Sequence, residues 1–171
     1  ATTLKAYPDL YNLIGVDPSG LKFREYYPEN IKLLPEFFSA DSINKEFGGK
    51  KAKVITSFSM FYDLEDPQQF MREIVNVLDN EGIWVFEQSY MPFMFEKNSY
   101  DTICQEHLEY YSLKQIKWMC DKAGLKIIDI EFNDINGGSF SITVSKKDSS
   151  FKEDIKKINE ILKSEISSGL D

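Results

Sequence analysis

The chain has 171 residues, 42% of them hydrophobic, which is enough to bury one sizeable core, and its 20 basic against 28 acidic side chains give a net charge of −8. That balance, with no dense basic tract, argues against a nucleic-acid partner, and no apolar run approaches the roughly twenty residues of a membrane helix. Two cysteines and one histidine supply neither a disulfide framework nor a zinc spacing, so a soluble cytoplasmic protein without a dedicated zinc site is expected, with carboxylate-bound magnesium left open.

In chain order, Ala1 to Pro8 begins without methionine and reads as the tail of a short helix stopped by proline, as if the chain were a piece of a longer protein. Leu10 to Asp17 is a compact apolar run ending in an acid and followed by Pro18, Ser19 and Gly20, which reads as a buried strand and a turn. Residues 21–30 are aromatic and irregular, and Ile31 to Phe38 supplies a short strand interrupted at Pro35. The β-branched run Ala52 to Phe58 reads as a central strand, with a loop from Ser59 to Glu65.

Asp66, Pro67 and Gln69 are an N-cap acid, a proline at the first helical position and a third-position glutamine. They open a helix whose buried stripe is Phe70, Ile74, Val77 and Leu78 and which ends at Asn80, Glu81 and Gly82. Ile83 to Glu87 is the next strand, and the strand, helix, strand order argues for a parallel sheet covered by helices. Ser112 and Gln115 form a capping box for a helix that runs to Gly124 with Leu113, Ile116, Cys120 and Ala123 on one face. Leu125 to Phe132 and Ser139 to Ser145 are strands joined by a link too short for a crossover, so they must pair antiparallel. Ser150 to Glu153 starts a last helix with Phe151, Ile155, Ile158, Leu162 and Ile166 on its apolar side.

Ligands of open α/β sheets bind beyond the carboxyl ends of the strands, so Asp17, the Ser57, Phe58, Ser59 loop and the Glu87 to Tyr90 loop should face one crevice. A carboxylate at Asp17 can accept from both ribose hydroxyls of a nucleoside, or it can simply cap the Pro18–Ser19 turn. His107 has the one imidazole, which titrates near neutrality and suits a general base, although lone histidines are often structural. Tyr90, Tyr110 and Tyr111 can donate to a developing oxyanion or pack in the core, and Asn136–Gly137 is a favoured hairpin turn that needs no ligand.

A mostly parallel sheet that closes on an antiparallel hairpin resembles the Rossmann-like class I S-adenosylmethionine methyltransferase fold, here without a first strand and its glycine-rich loop. Five segments in order sharpen the likeness: Gly15 to Ser19, Asp66 to Phe70, Asp101 to His107, Tyr110 to Ser112 and Asn136 to Ser139. Together they resemble the sugar C-methyltransferase family, which acts on nucleotide-linked keto-deoxysugars. The resemblance implies S-adenosylmethionine as cofactor, held by Asp17, Pro18, Ser19, Ser57, Phe58 and Ser59. It further implies His107 as base aided by Glu106, and substrate contacts from Tyr90, Tyr110, Tyr111, Asn136, Gly137 and Gly138. Residues 1–148 would be a partial methyltransferase core and 149–171 a helix leading into a further domain, while an unpaired sheet edge would favour pairing between copies.

Many family members carry a further histidine where this chain has Gln105 and Asn136, so the acceptor stays open. An oxygen or nitrogen methyltransferase, a nicotinamide-dependent dehydrogenase suggested by Asp17 alone, and a non-catalytic nucleotide-binding or interaction domain are the alternatives. The enzymatic reading expects Asp17 and His107 to share one pocket.

Overall fold

The computed structural model describes residues 2–170. Six strands and five α-helices alternate along the chain, with short 3-10 turns between them. β1 (Leu13–Val16) and β2 (Ile31–Leu34) pair in parallel, and β2 ends before Pro35, which cannot donate to a ladder. α1 (Ala40–Phe47) leads to β3 (Ala52–Phe58), α2 (Pro67–Val77) and β4 (Leu78–Ser89). α3 (Met91–Lys97), α4 (Leu113–Ala123), β5 (Leu125–Asn133), β6 (Ser139–Lys146) and α5 (Ile155–Ser167) complete the order.

The fold is α/β, and its larger sheet is mixed. β3 runs parallel to β4, while β6 is inserted antiparallel between β4 and β5, the hairpin that the short 134–138 link requires. β1 and β2 form a separate two-stranded sheet, and among the described residues no strand joins β1 to β3. The free side of β3 therefore leaves Val54 and Phe58 about two-fifths exposed on a strand that would be buried inside a continuous parallel sheet.

Period-two alternation along β4 turns Trp84, Phe86, Gln88 and Tyr90 to one side, where Phe140, Ile142 and Val144 of β6 join them. A register shift between Ile127 and Asp129 lets β5 present both Ile127 and Ile130 to the same core. α2 and α4 cover this face with Met71, Ile74, Leu113, Ile116 and Cys120, and α5 adds Ile158. A smaller cluster of Ala40, Ile43 and Val77 receives Ile14, Val16 and Leu34 from the small sheet, and Phe38 and Ile55 touch both clusters.

Local chemistry explains the helix starts. Asp66 accepts from the Gln69 amide at 2.8 Å with proline at the first helical position, and Ser112 with Gln115 forms the expected box. Three expectations need correction. α2 ends at Val77 and Leu78 already belongs to β4, so its buried side chain is a strand residue. Helices α1 and α3 were not expected from the periodicity. The last helix starts at Ile155 behind an Asp154 cap, leaving Phe151, Ile155 and Ile166 exposed and turning Ile158 and Glu165 inward.

Ile142 is fully buried between β4 and β5, so Ile142→Ala should cost about 2–5 kcal/mol in urea unfolding, against less than about 1 kcal/mol for Val54→Ala on the open side of β3.

Candidate active site

The carboxyl ends of β3 and β4 and the β5–β6 turn meet at one end of the larger sheet. Beyond β3 the backbone turns left-handed at Ser59 (φ 50°), whose amide donates to the Glu87 carbonyl at 2.8 Å. Ser59 Oγ accepts from Asn136 Nδ2 at 3.5 Å, which joins two segments singled out by sequence, and the Glu87 carboxylate accepts from Asn133 Nδ2 at 2.7 Å. Asn136, Gly137 and Gly138 all have positive φ, which explains the Asn-Gly-Gly composition of the turn. Gly138 also lies so close to Phe93 that an added Cβ would come within 2.7 Å of its ring.

His107 sits in an extended stretch after a 3-10 turn at Tyr100–Thr102. Its Nδ1 is 2.7 Å from the Thr102 carbonyl, an acceptor only, so Nδ1 carries the proton and Nε2 keeps its lone pair. The ring packs on Tyr62 with centroids 4.5 Å apart, and the Glu109 amide donates to the Tyr62 carbonyl at 3.1 Å, fastening this stretch to the loop after β3. Burial raises the Asp63 carboxyl above its ordinary range, the His107 imidazole pulls it down, and Glu106 raises it. Tyr62 and Asp63 thus belong beside His107, although nothing in their local sequence beyond a place after a strand end marks them.

Of the three candidate tyrosines, only Tyr110 borders open space. Its hydroxyl donates to the same Thr102 carbonyl at 3.4 Å, and its ring lines a pocket of about 220 Å³ with Met91, Met94, Phe95, Tyr100 and Ile103. Tyr90 is buried and donates to Glu165 at 2.7 Å, while Tyr111 is buried with no partner for its hydroxyl. Desolvation pushes both phenols well above the ordinary range, reinforced by Glu165 at Tyr90 and by Glu109 at Tyr111. Ser57 Oγ accepts from the Trp84 indole at 3.0 Å, Phe58 is partly exposed, and Glu106 is exposed.

Asp17 follows β1, and its Oδ1 accepts from both the amide and the hydroxyl of Ser19 at 2.8 Å, so it does cap the Pro18–Ser19 turn. Its side chain also borders a cavity of about 260 Å³ lined by Thr2, Lys5, Phe23, Tyr26 and Tyr27. That cavity and the Tyr110 pocket have no lining residue in common, and His107 lines neither of the two. Among the described residues no group of three or more His, Cys, Asp and Glu side chains could hold a metal ion, and no helix is long and apolar enough to cross a membrane.

A profile of the methyltransferase domain family matches residues 3–130. The C-methyltransferase NovU of Streptomyces niveus is 24% identical over 132 residues, covering 76% of this chain and 31% of that protein. The chain therefore spans about a third of this curated relative. Among solved structures, LepI in complex with SAM superposes with a TM-score of 0.64 at 17% identity, over 85% of this chain and 38% of LepI. A SAM-dependent methyltransferase from Anabaena variabilis gives 0.58 at 14% identity, over 78% of this chain and 67% of that one. These structural likenesses establish the fold.

The two cysteines give a direct check of the site segment. Cys104, three residues before His107, is exposed, whereas Cys120 is buried and its thiol is pushed up to about 12, mainly by desolvation. A disulfide reagent at neutral pH should titrate Cys104 rapidly and Cys120 only after denaturation.

Proposed function

The chain belongs to the methyltransferase domain family, and from that premise we propose that it serves methyl transfer from S-adenosylmethionine to carbon, on a nucleotide-linked keto-deoxysugar, with His107 as general base. The observation that carries this reading is the imidazole itself: the Thr102 carbonyl fixes the proton on Nδ1 and leaves Nε2 free. The 24% identity to a C-methyltransferase supports carbon as the acceptor.

The residues present fit the nucleoside part of the cofactor. Asp17 spends Oδ1 on the Ser19 turn and lines the 260 Å³ cavity, where its other oxygen would accept from ribose hydroxyls beside the rings of Tyr26 and Tyr27. Pro18 and Ser19 shape that turn, and Ser59 and Phe58 stand at the end of β3, where the methionine part would lie. When bound, S-adenosylmethionine supplies an electrophilic methyl carbon on a sulfonium. His107 Nε2 would take the proton from the acceptor carbon beside the ketone, with Glu106 next to it in the chain as its aid. The Tyr110 hydroxyl and the Asn136, Gly137, Gly138 turn would orient the sugar. Tyr90 and Tyr111, buried as they are, would shape the site from beneath. The free edge of β3 supports pairing between copies.

One observation favours a second reading. The pocket beside Tyr110 has no charged lining residue, which suits an apolar acceptor methylated on oxygen or nitrogen.

Transfer of an isotope-labelled methyl to nucleotide keto-deoxysugars, followed by carbon NMR of the product, separates the two, because a carbon-bound methyl resonates well upfield of one on oxygen or nitrogen. His107→Ala should slow incorporation by about 10²–10⁴-fold, and an unchanged rate removes the base from His107. Asp17→Ala should weaken S-adenosylmethionine binding by about ten- to a hundredfold in calorimetry, and unchanged affinity removes the ribose contact.

A further inference from the structure

The helix α5 lies beyond the residues matched by the family profile, yet it carries a carboxylate into the interior. Glu165 is 2% exposed. A buried carboxylate needs donors, and three converge on it: the Tyr90 hydroxyl at 2.7 Å and the Leu113 amide at 2.7 Å on Oε1, and the Lys114 amide at 3.1 Å on Oε2. Leu113 and Lys114 are the first two residues of α4, whose amides have no partner within the helix, and Ser112 with Gln115 satisfies the neighbouring positions. An acid at this end is also favoured by the helix dipole.

The placement of these donors in the chain gives them meaning. Tyr90 immediately precedes residues 91–112, and Leu113 immediately follows them. One carboxylate therefore grips both ends of the excursion that bears α3, Cys104, Glu106, His107 and Tyr110. A backbone bond from the Met91 amide to the Tyr111 carbonyl (3.0 Å) closes the same base, and α5 is itself seated by Ile158 in the core and by the ion pair of Lys157 with Asp129. Within the excursion only Thr102, Tyr111 and Ser112 are buried, and between its ends it leans on the rest of the molecule mainly through Phe93 on the core and His107 on Tyr62.

We infer that Glu165 is a positioning residue: by clamping Tyr90 to the start of α4 it fixes the segment that carries His107. The catalytic consequence rests on the reading of His107 as base; the clamp does not. Glu165 bonds to none of His107, Glu106 and Tyr110 and acts through Tyr90 and the start of α4, the chain ends it holds.

The test compares the parent chain with Glu165→Ala, Glu165→Gln and Tyr90→Phe. Hydrogen exchange followed by mass spectrometry should show residues 91–112 exchanging about tenfold or more faster in Glu165→Ala, with β4, β5 and β6 within about twofold of the parent. Because His107 is the one histidine, its imidazole Cε1 proton gives a single resonance, which should shift or broaden in Glu165→Ala. Glu165→Gln, which keeps a carbonyl acceptor, should restore part of both signals. Should the alanine variant fail to fold, Tyr90→Phe removes a single hydroxyl and should loosen the Met91 end first. Unchanged exchange and an unchanged His107 resonance in folded Glu165→Ala overturn the clamp, as does protection lost equally across the sheet. With labelled methyl transfer as the further readout, kcat should fall while KM for S-adenosylmethionine holds. A parent that transfers no methyl refutes the proposed reaction and leaves the exchange result to decide the clamp.

Discussion

The structure depends on β4. It is paired on both sides with elements that reach the site, parallel to β3 and antiparallel to β6. Its inward face stacks Trp84 on Phe86 at 4.2 Å, and Phe61 closes against both rings, so the aromatic core fixes the strand's position and twist. Its carboxyl end then distributes that rigidity. The Glu87 carbonyl holds the Ser59 amide, the Glu87 carboxylate holds Asn133, and the Tyr90 amide holds the Gly138 carbonyl. The loop after β3 and the β5–β6 turn are thus tied to Glu87 at the end of β4 and to Tyr90 just beyond it.

Much of this was legible because local and long-range signals agree. The run 83–87 is a short apolar stretch directly after a glycine, as a buried strand can be, Asp66 and Pro67 state a helix start, and a link of a few residues between Asn133 and Ser139 permits only a hairpin. Where the sequence misled, the two levels part. α1 offers only Ala40, Ile43 and Phe47 as an apolar stripe, too thin to distinguish from a loop, and α3 buries none of its residues fully, so no face is written into it. The last helix was read from its apolar residues, yet Ile155 and Ile166 lie outside and the inward stripe ends on a carboxylate. Hydrophobic period cannot reveal an acid that is buried because three donors from other elements await it.

The candidate site shows the same division. His107 was found through its uniqueness and Asn136–Gly137 through turn chemistry, both properties of the chain alone. Tyr62 and Asp63 were missed because their relation to His107 exists only through space, across the loop after β3 and the Glu109–Tyr62 backbone bond. The tyrosines were undecidable for a sharper reason: phenol groups suit a core or a site equally, and only the partners of the hydroxyl separate Tyr90 on Glu165 from Tyr110 on the rim. Asp17 follows β1 in the small sheet, whereas His107 lies between α3 and α4 beyond the larger one, and among the described residues no strand joins β1 to β3.

Departures from ordinary packing concentrate where the site is. Among the described residues the non-glycine positions with positive φ are Ser59, Asn98 and Asn136, and each lies in a loop at this end of the larger sheet. The buried side-chain atoms without partners are those of Gln88 and Tyr111, one on β4 just before the site loops and the other at the close of the His107 excursion. Each left-handed residue and each orphaned polar group costs on the order of 1–3 kcal/mol, and a chain selected for stability alone would shed them. The strain and the unpaired groups thus gather at the carboxyl end of β4, where open α/β sheets bind their ligands, while Trp84 and Val144, paired farther along β4 and β6, are fully buried and apolar.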